Sequence, residues 1–304
     1  MLPDWLKVSD EVQAALAAKR PVVALESTLI AHGLPCPVNV ETARDSESAI
    51  RDAGAVPATI AVLNGVPTVG LSDSEIELLA SAHNIRKASR RDLAAAVALK
   101  QNAATTVSAT MALAHAAGIR VFATGGIGGA HREEEAFDIS ADLTELAHTP
   151  VLVICAGAKS ILHLPRTLEI LETLSVPVVG YRTDAFPAFY LRAHTPPLPV
   201  SARVDSANQA AALFAVHGRM GGGGVVLAQP CPVEVAVPTA EFDRWFAEAE
   251  REVHTARVTG SQVTPFLLAR LAELSGGRTL AANRALIVAN AKLAAEVAVA
   301  SAGV

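Results

Sequence analysis

Val151-Leu152-Val153-Ile154-Cys155-Ala156-Gly157-Ala158-Lys159 is an apolar strand that runs into a glycine and closes on a lysine. Short β-branched runs of the same kind recur at residues 22–25, 59–63, 120–124, 176–181 and 225–228. Helical patterns lie between most of them, at 38–53, 72–81, 92–98, 107–117, 141–147, 162–174 and 206–217, followed by a helical C-terminal third. Such alternation predicts an α/β protein, a three-layer α/β/α sandwich around a largely parallel sheet. Asn64-Gly65, set between residues 59–63 and 67–70, is a hairpin signal, so the sheet is expected to be mixed. With no linker, composition shift or internal repeat, residues 1–304 read as one domain.

Composition narrows the function. Hydrophobic residues make up 51% and charged residues 18% of the 304, the profile of a compact globular chain. A net charge of −5 without a Lys/Arg block argues against nucleic-acid binding. Cys36, Cys155 and Cys231 are too few and too far apart for a disulfide framework or a zinc site, which fits a reducing compartment. The first 19 residues carry Asp4, Lys7, Asp10 and Glu11 and lack the pattern of a signal peptide. Residues 280–304 are Ala-rich, but Arg284, Asn290, Lys292 and Glu296 interrupt them at helical spacing, so an amphipathic helix is expected and no membrane span. A cytoplasmic location follows from these readings.

In sheets of this class ligands collect beyond the carboxyl ends of the strands. Those segments are polar here: Glu26-Ser27-Thr28 and Ala31-His32-Gly33-Leu34-Pro35 after the first strand, Gly125-Gly126-Ile127-Gly128-Gly129 after residues 120–124, and Gly157-Ala158-Lys159. The chain has 6 Lys against 19 Arg, so a lysine at a strand mouth stands out. Partial desolvation there would lower its pKa and free an amine for carbonyl attack, the profile of a Schiff-base lysine. The alternative is a lysine whose stem lies along the strand end while its head reaches water.

Glu26 is either a general acid in a half-buried setting or a carboxylate that caps a helix or pairs with an Arg. The glycines at 125–129 match neither a Walker nor a dinucleotide fingerprint, and are read as a backbone cradle for an anion. His131 either contacts a phosphate or lies on the surface. Asp138 and Asp142 are spaced i, i+4 at a helix start, where two carboxylates on one face would hold a hard divalent ion, Mg²⁺ or Mn²⁺; capping by Asp138 or Ser140 is compatible. Lys87 sits in a basic cluster, residues 86–92, that is a solvated charge run or an anion site. Residues 105–108 suit a helix N-terminus facing an anion. The Gly run at 221–224 precedes a strand and reads as a flexible loop. From the residues alone, the sequence points to a Schiff-base enzyme for a phosphorylated sugar, with a class I aldolase-like lyase or a non-catalytic sugar-phosphate-binding protein as alternatives.

Taken together, residues 24–28, 87–93, 122–129, 137–143 and 155–160 resemble the pseudouridine-5′-phosphate glycosidase family, with which the indigoidine synthase A proteins are grouped. Further matches at 54–59, 264–270 and 283–290 extend the resemblance over nearly the whole chain. It implies an α/β/α homotrimer that reversibly splits the C–C glycosidic bond of pseudouridine 5′-phosphate, giving uracil and ribose 5-phosphate. Lys159 is similar to the family's nucleophile and Glu26 to its proton donor. Asp138 is similar to the metal ligand, with Mn²⁺ or Mg²⁺ bound. Lys87, Val107 and Ser140-Ala141-Asp142 resemble substrate-contacting positions, and Thr124, His131 and Asn283 resemble residues around the phosphate and ribose. Residues 131–137 are shorter and more acidic than the family's usual loop, and 195–200 match it poorly.

Overall fold

The computed structural model of the chain describes residues 2–132, 138–256, 258 and 263–303. Among the described residues eleven strands form one sheet: β1 (Lys7–Val8), β2 (Val22–Leu25), β3 (Val56–Leu63), β4 (Val66–Val69), β5 (Arg86–Ala88), β6 (Ala103–Thr105), β7 (Val121–Ala123), β8 (Leu152–Cys155), β9 (Val178–Tyr181), β10 (Ala202–Val204) and β11 (Val225–Ala228). The main path runs β1-β4-β3-β2-β7-β8-β11-β9-β10, with β6 attached to β3 and β5 to β6. Pairing is parallel except for β3 with β4 and β3 with β6. The expected mixed, largely parallel sheet is therefore present.

The central strands β2, β7, β8, β9 and β11 read as unbroken apolar runs because each side chain finds a core. In β2, Val22 and Ala24 face one cluster while Val23 and Leu25 face the other; Val153 and Cys155 against Leu152 and Ile154 repeat this in β8. Helices Val38–Asp52, Ala207–Arg219 and Arg278–Ser301 cover one face, and Asp10–Ala17, Val107–Ala116, Ala141–His148 and Leu164–Thr173 cover the other. Each fully buried Leu, Ile or Val contributes roughly 1.5–3 kcal/mol, so both faces must be satisfied in the same register. Asn64 and Gly65 both have positive φ, 50° and 80°, and close the two-residue β3–β4 turn with Leu63 opposite Val66.

Three sequence expectations are corrected. Residues 86–88 are a strand paired with β6, so Lys87 belongs to the sheet and not to a solvated charge run. The helix from Arg278 to Ser301 is buried along most of its length, Asn290 included, because it lies against the sheet as a core layer. Within the Gly221–Gly224 run only Gly221 is open, and the rest is close-packed: a Cβ at Gly222 would meet the His217 imidazole at 2.2 Å, and one at Gly223 the Ala147 carbonyl at 2.3 Å. Strands β1, β6 and β10 are too short to show a period in the sequence. Among the described residues no helix is long and apolar enough to cross a membrane.

Candidate active site

Strand β2 leads through helix Val38–Asp52 to β3 on one side, whereas β7, on the other side of β2, leads to β8. The crevice between the carboxyl ends of such a pair is where open α/β sheets bind ligands. A cavity of about 570 Å³ opens there, lined by Glu26, Lys87, Val107, His131, Asp138, Ser140, Ala141, Asp142, Lys159 and Asn283. Thr124 sits just behind its wall.

Glu26 follows β2 directly and is buried. Its two carboxylate oxygens accept hydrogen bonds from the Thr28 and Thr124 hydroxyls. Lys159 lies four residues beyond β8, carried there by backbone pairing that outlasts the strands. Ala156 N–H donates to the Gly125 carbonyl at 2.8 Å, Ile127 N–H to Gly157 at 3.0 Å, and Lys159 N–H to Ile127 at 3.2 Å. The lysine is half-buried and lines the cavity.

The glycines after β7 permit close approach. A Cβ on Gly128 would come within 2.3 Å of the Ser140 hydroxyl and 2.8 Å of the Asp142 carboxylate. Gly128 N–H donates to Asp142 Oδ2 and Ser108 N–H to Asp142 Oδ1, both at 2.9 Å. The anion cradled at this end is thus the protein's own buried carboxylate. Asp142 thereby ties the start of helix Val107–Ala116 to the glycine loop. It stands in the first turn of helix Ala141–His148, which Ser140 caps by accepting the Asp142 N–H at 3.2 Å.

Lys87 points from β5 toward the same space. Burial pushes its pKa below the ordinary lysine range and the neighbouring Lys159 lowers it further, while Glu26, Asp142 and Asp138 oppose the shift. Two amines and three carboxylates therefore share one field, beside the N-termini of two helices. This arrangement can draw an anionic group toward Lys87 and present the Lys159 amine to an electrophile.

The sequence profile of the indigoidine synthase A like proteins matches residues 11–300. The chain belongs to that family. It is 53% identical over 297 residues to the pseudouridine-5′-phosphate glycosidase of Geobacillus kaustophilus, covering 97% of this chain and 98% of that one. It is 54% identical over 299 residues to the enzyme of the same name from Escherichia coli K12, covering 97% and 95%. Among solved structures it resembles the prealnumycin C-glycosynthase AlnA in complex with ribulose 5-phosphate, with a TM-score of 0.91, 44% identity and coverage of 99% and 98%. An indigoidine synthase A-like protein from Thermotoga maritima gives a TM-score of 0.87 at 35% identity, covering 98% of each chain.

Within this indigoidine synthase A-like chain the paired-carboxylate reading needs correction. The helix begins at Ala141, so Asp138 precedes it and shares no helical face with Asp142. Among the described residues no three His, Cys, Asp or Glu side chains gather as a metal cage. Asp138 itself is half-exposed at the cavity rim, its carboxylate 3.9 Å from His131 Nε2, and His131 N–H donates to the Asp138 carbonyl. One accessible carboxylate fits a hard cation that keeps most of its water, as Mg²⁺ and Mn²⁺ do, and not a closed protein site. Of the shortened loop, residues 133–137 lie outside the described residues, Phe137 of the resemblance among them.

Sequence reasoning missed several lining groups. His32, on a π-helical turn (Leu29–Gly33), borders the cavity; burial and then the Lys87 charge hold its imidazole pKa below the ordinary value. The polar run 31–35 after β2 was the available signal. Thr28 and Phe189 were not singled out. Asn290 donates to the Thr124 carbonyl at 2.9 Å, supporting the floor beneath Glu26 from the last helix. Asn283, about two turns earlier, is buried, and its Oδ1 has no partner among the described residues.

Proposed function

We propose that this chain reversibly cleaves the C–C glycosidic bond of pseudouridine 5′-phosphate with water, giving uracil and ribose 5-phosphate, through a Schiff base on Lys159. The observation that carries this reading is the convergence of Lys159, Glu26 and Lys87 on one cavity flanked by two helix N-termini. The names of the relatives supply the substrate. The enzyme works in the cytoplasm as a homotrimer of single-domain subunits spanning residues 1–304.

A carbon leaving group needs an electron sink at the anomeric carbon, and a lysine iminium is one. The Lys159 amine adds to C1′ as the bond from C1′ to the ring oxygen breaks, and Glu26 gives that oxygen its proton. The nitrogen lone pair then forms the iminium while the electrons of the C1′–C5 bond pass into the uracil ring, which is protonated at C5. Water hydrolyses the iminium, releasing ribose 5-phosphate and restoring the amine. Lys87, Val107 and Ser140-Ala141-Asp142 bind the phosphate side, Asp142 by holding two backbone segments in place. His131 and Asn283 line the cavity around the phosphate and ribose, with Thr124 behind its wall. Asp138 would hold Mn²⁺ (or Mg²⁺), which supplies positive charge near the substrate's oxygens when bound.

The test is direct. Lys159→Ala should lower uracil release from pseudouridine 5′-phosphate by several powers of ten, roughly 10⁴-fold or more, with little change in melting temperature. Borohydride reduction in the presence of ribose 5-phosphate should add the mass of the reduced sugar to Lys159. Near-normal turnover of Lys159→Ala would sink the mechanism.

A further inference from the structure

Phe189 holds a backbone conformation that bulky residues avoid, with φ at +62°. Such strain persists only where surrounding structure enforces it. Here Phe189 N–H donates to the Ala156 carbonyl at 2.9 Å, and flanking Ala188 is bridged to both Gly157 and Leu191. The ring leans on Tyr190, with centroids 4.6 Å apart. Its edge presses on the glycine loop: a Cβ at Gly126 would stand 2.7 Å from the ring, and one at Gly125 3.4 Å from it and 3.1 Å from Ile287. Phe189, Gly125, Gly126 and Ile287 all line the cavity.

These contacts fix a tight apolar corner immediately after Thr124, whose hydroxyl holds Glu26. Lys87 and the starts of helices Val107–Ala116 and Ala141–His148 line the same cavity. Lys159 ends the segment whose Ala156 and Gly157 pin Phe189 and Ala188, so a sugar joined at C1 to the Lys159 amine carries its C1 substituent beside the Phe189 corner. Phe189 is only 2% exposed, so the ring edge alone meets that substituent.

We propose that Phe189 is the specificity-determining wall of the leaving-group side, admitting one six-membered planar ring and rejecting a fused second ring. This rests on the functional reading above. No side chain at 125 or 126 can move aside, because glycine already occupies both positions, and the pinned backbone at 189 keeps the ring from swinging away. The corner is rigid from both directions.

The experiment compares inhibition of turnover of pseudouridine 5′-phosphate by uracil and by quinazoline-2,4-dione, its benzo-fused analogue, in the wild type, Phe189→Leu and Phe189→Ala. The wild type should bind uracil at least 100-fold more tightly than the fused ring. Both variants should narrow that ratio tenfold or more, while KM for ribose 5-phosphate in the synthetic direction shifts less than threefold. Phe189→Leu retains most of the buried volume and serves if Phe189→Ala does not fold. A wild type that takes both rings equally, or folded variants with an unchanged ratio, would overturn the assignment and reduce Phe189 to packing. Failure of the functional reading looks different: a wild type inert toward pseudouridine 5′-phosphate, which would overturn both.

Discussion

Glu26 and Asp142 are both buried carboxylates at one cavity, yet the first rests on two threonine hydroxyls and the second on two backbone amides. A hydroxyl donates or accepts by rotation, so a carboxyl held by hydroxyls can gain and lose a proton without leaving a partner stranded. An amide only donates. Protonating or removing Asp142 would orphan a buried N–H at Ser108 or Gly128, at a cost of about 1–3 kcal/mol each. One end of the cavity holds its carboxylate with rotatable donors and the other with fixed ones.

Substitution of each carboxylate by its amide separates the two roles. Glu26→Gln should lower kcat by roughly 10²–10⁴-fold while melting stays close to wild type, measured by uracil release and calorimetry. Asp142→Asn should do the reverse, losing about 2–3 kcal/mol of stability and raising KM more than it lowers kcat. Matching stability losses in the two variants would erase the distinction.

Lys87, the cation between the two ends, gives a pH test. Burial holds its pKa below the ordinary lysine range, so its ammonium is lost as pH rises through that lowered value. KM for the phosphorylated substrate should rise over that interval. Between the folded and unfolded pKa values the unfolded chain binds the extra proton, so this group's effect on stability increases with pH as binding weakens. A KM and a melting temperature that rise together with pH are the expected signature, and Lys87→Met should flatten both.

Glu47 supplies a third carboxylate, outside the cavity, which accepts from the Thr59 hydroxyl at 2.5 Å. Burial raises its pKa above the usual carboxylate range. The folded state therefore binds the proton more tightly, and stability falls as pH climbs from the unfolded value through the folded one. Glu47→Gln keeps an acceptor for Thr59 and removes the buried charge, so a gain of ~1 kcal/mol or less at neutral pH is expected, with turnover unchanged. This is the smallest effect and the control for carboxylate burial without chemistry.

Much of this was legible in the chain itself. Apolar runs at 22–25, 151–155 and 225–228, helical periods between them and Asn64-Gly65 all act over a few residues, and each element forms where the pattern places it. Positions beyond strand ends also pointed to Glu26 and Lys159, and Thr124 came from the resemblance. What stayed hidden depends on partners far along the chain. The spacing of Asp138 and Asp142 looked like a shared helical face, but the helix starts at Ala141 because Ser140 caps it. Lys87 looked like a surface charge because its strand has three residues and gains its register from β6. Phe189 carries no local signal, since its constraint comes from Gly126, Ala156 and Tyr190.

The amino-acid order by itself determined that strands buried on both faces alternate with helices, and that polar residues gather where those strands end; short-range periodicity and turn chemistry suffice for that. Only the tertiary structure decided which carboxylate rests on hydroxyls and which one ties loops together. Thr124 meets Glu26 across 98 positions of sequence, Ser108 meets Asp142 across 34, and Asn290 meets Thr124 across 166. A side chain's chemistry follows from the donors that folding brings to it, and those donors are chosen by packing over distances that no local pattern records.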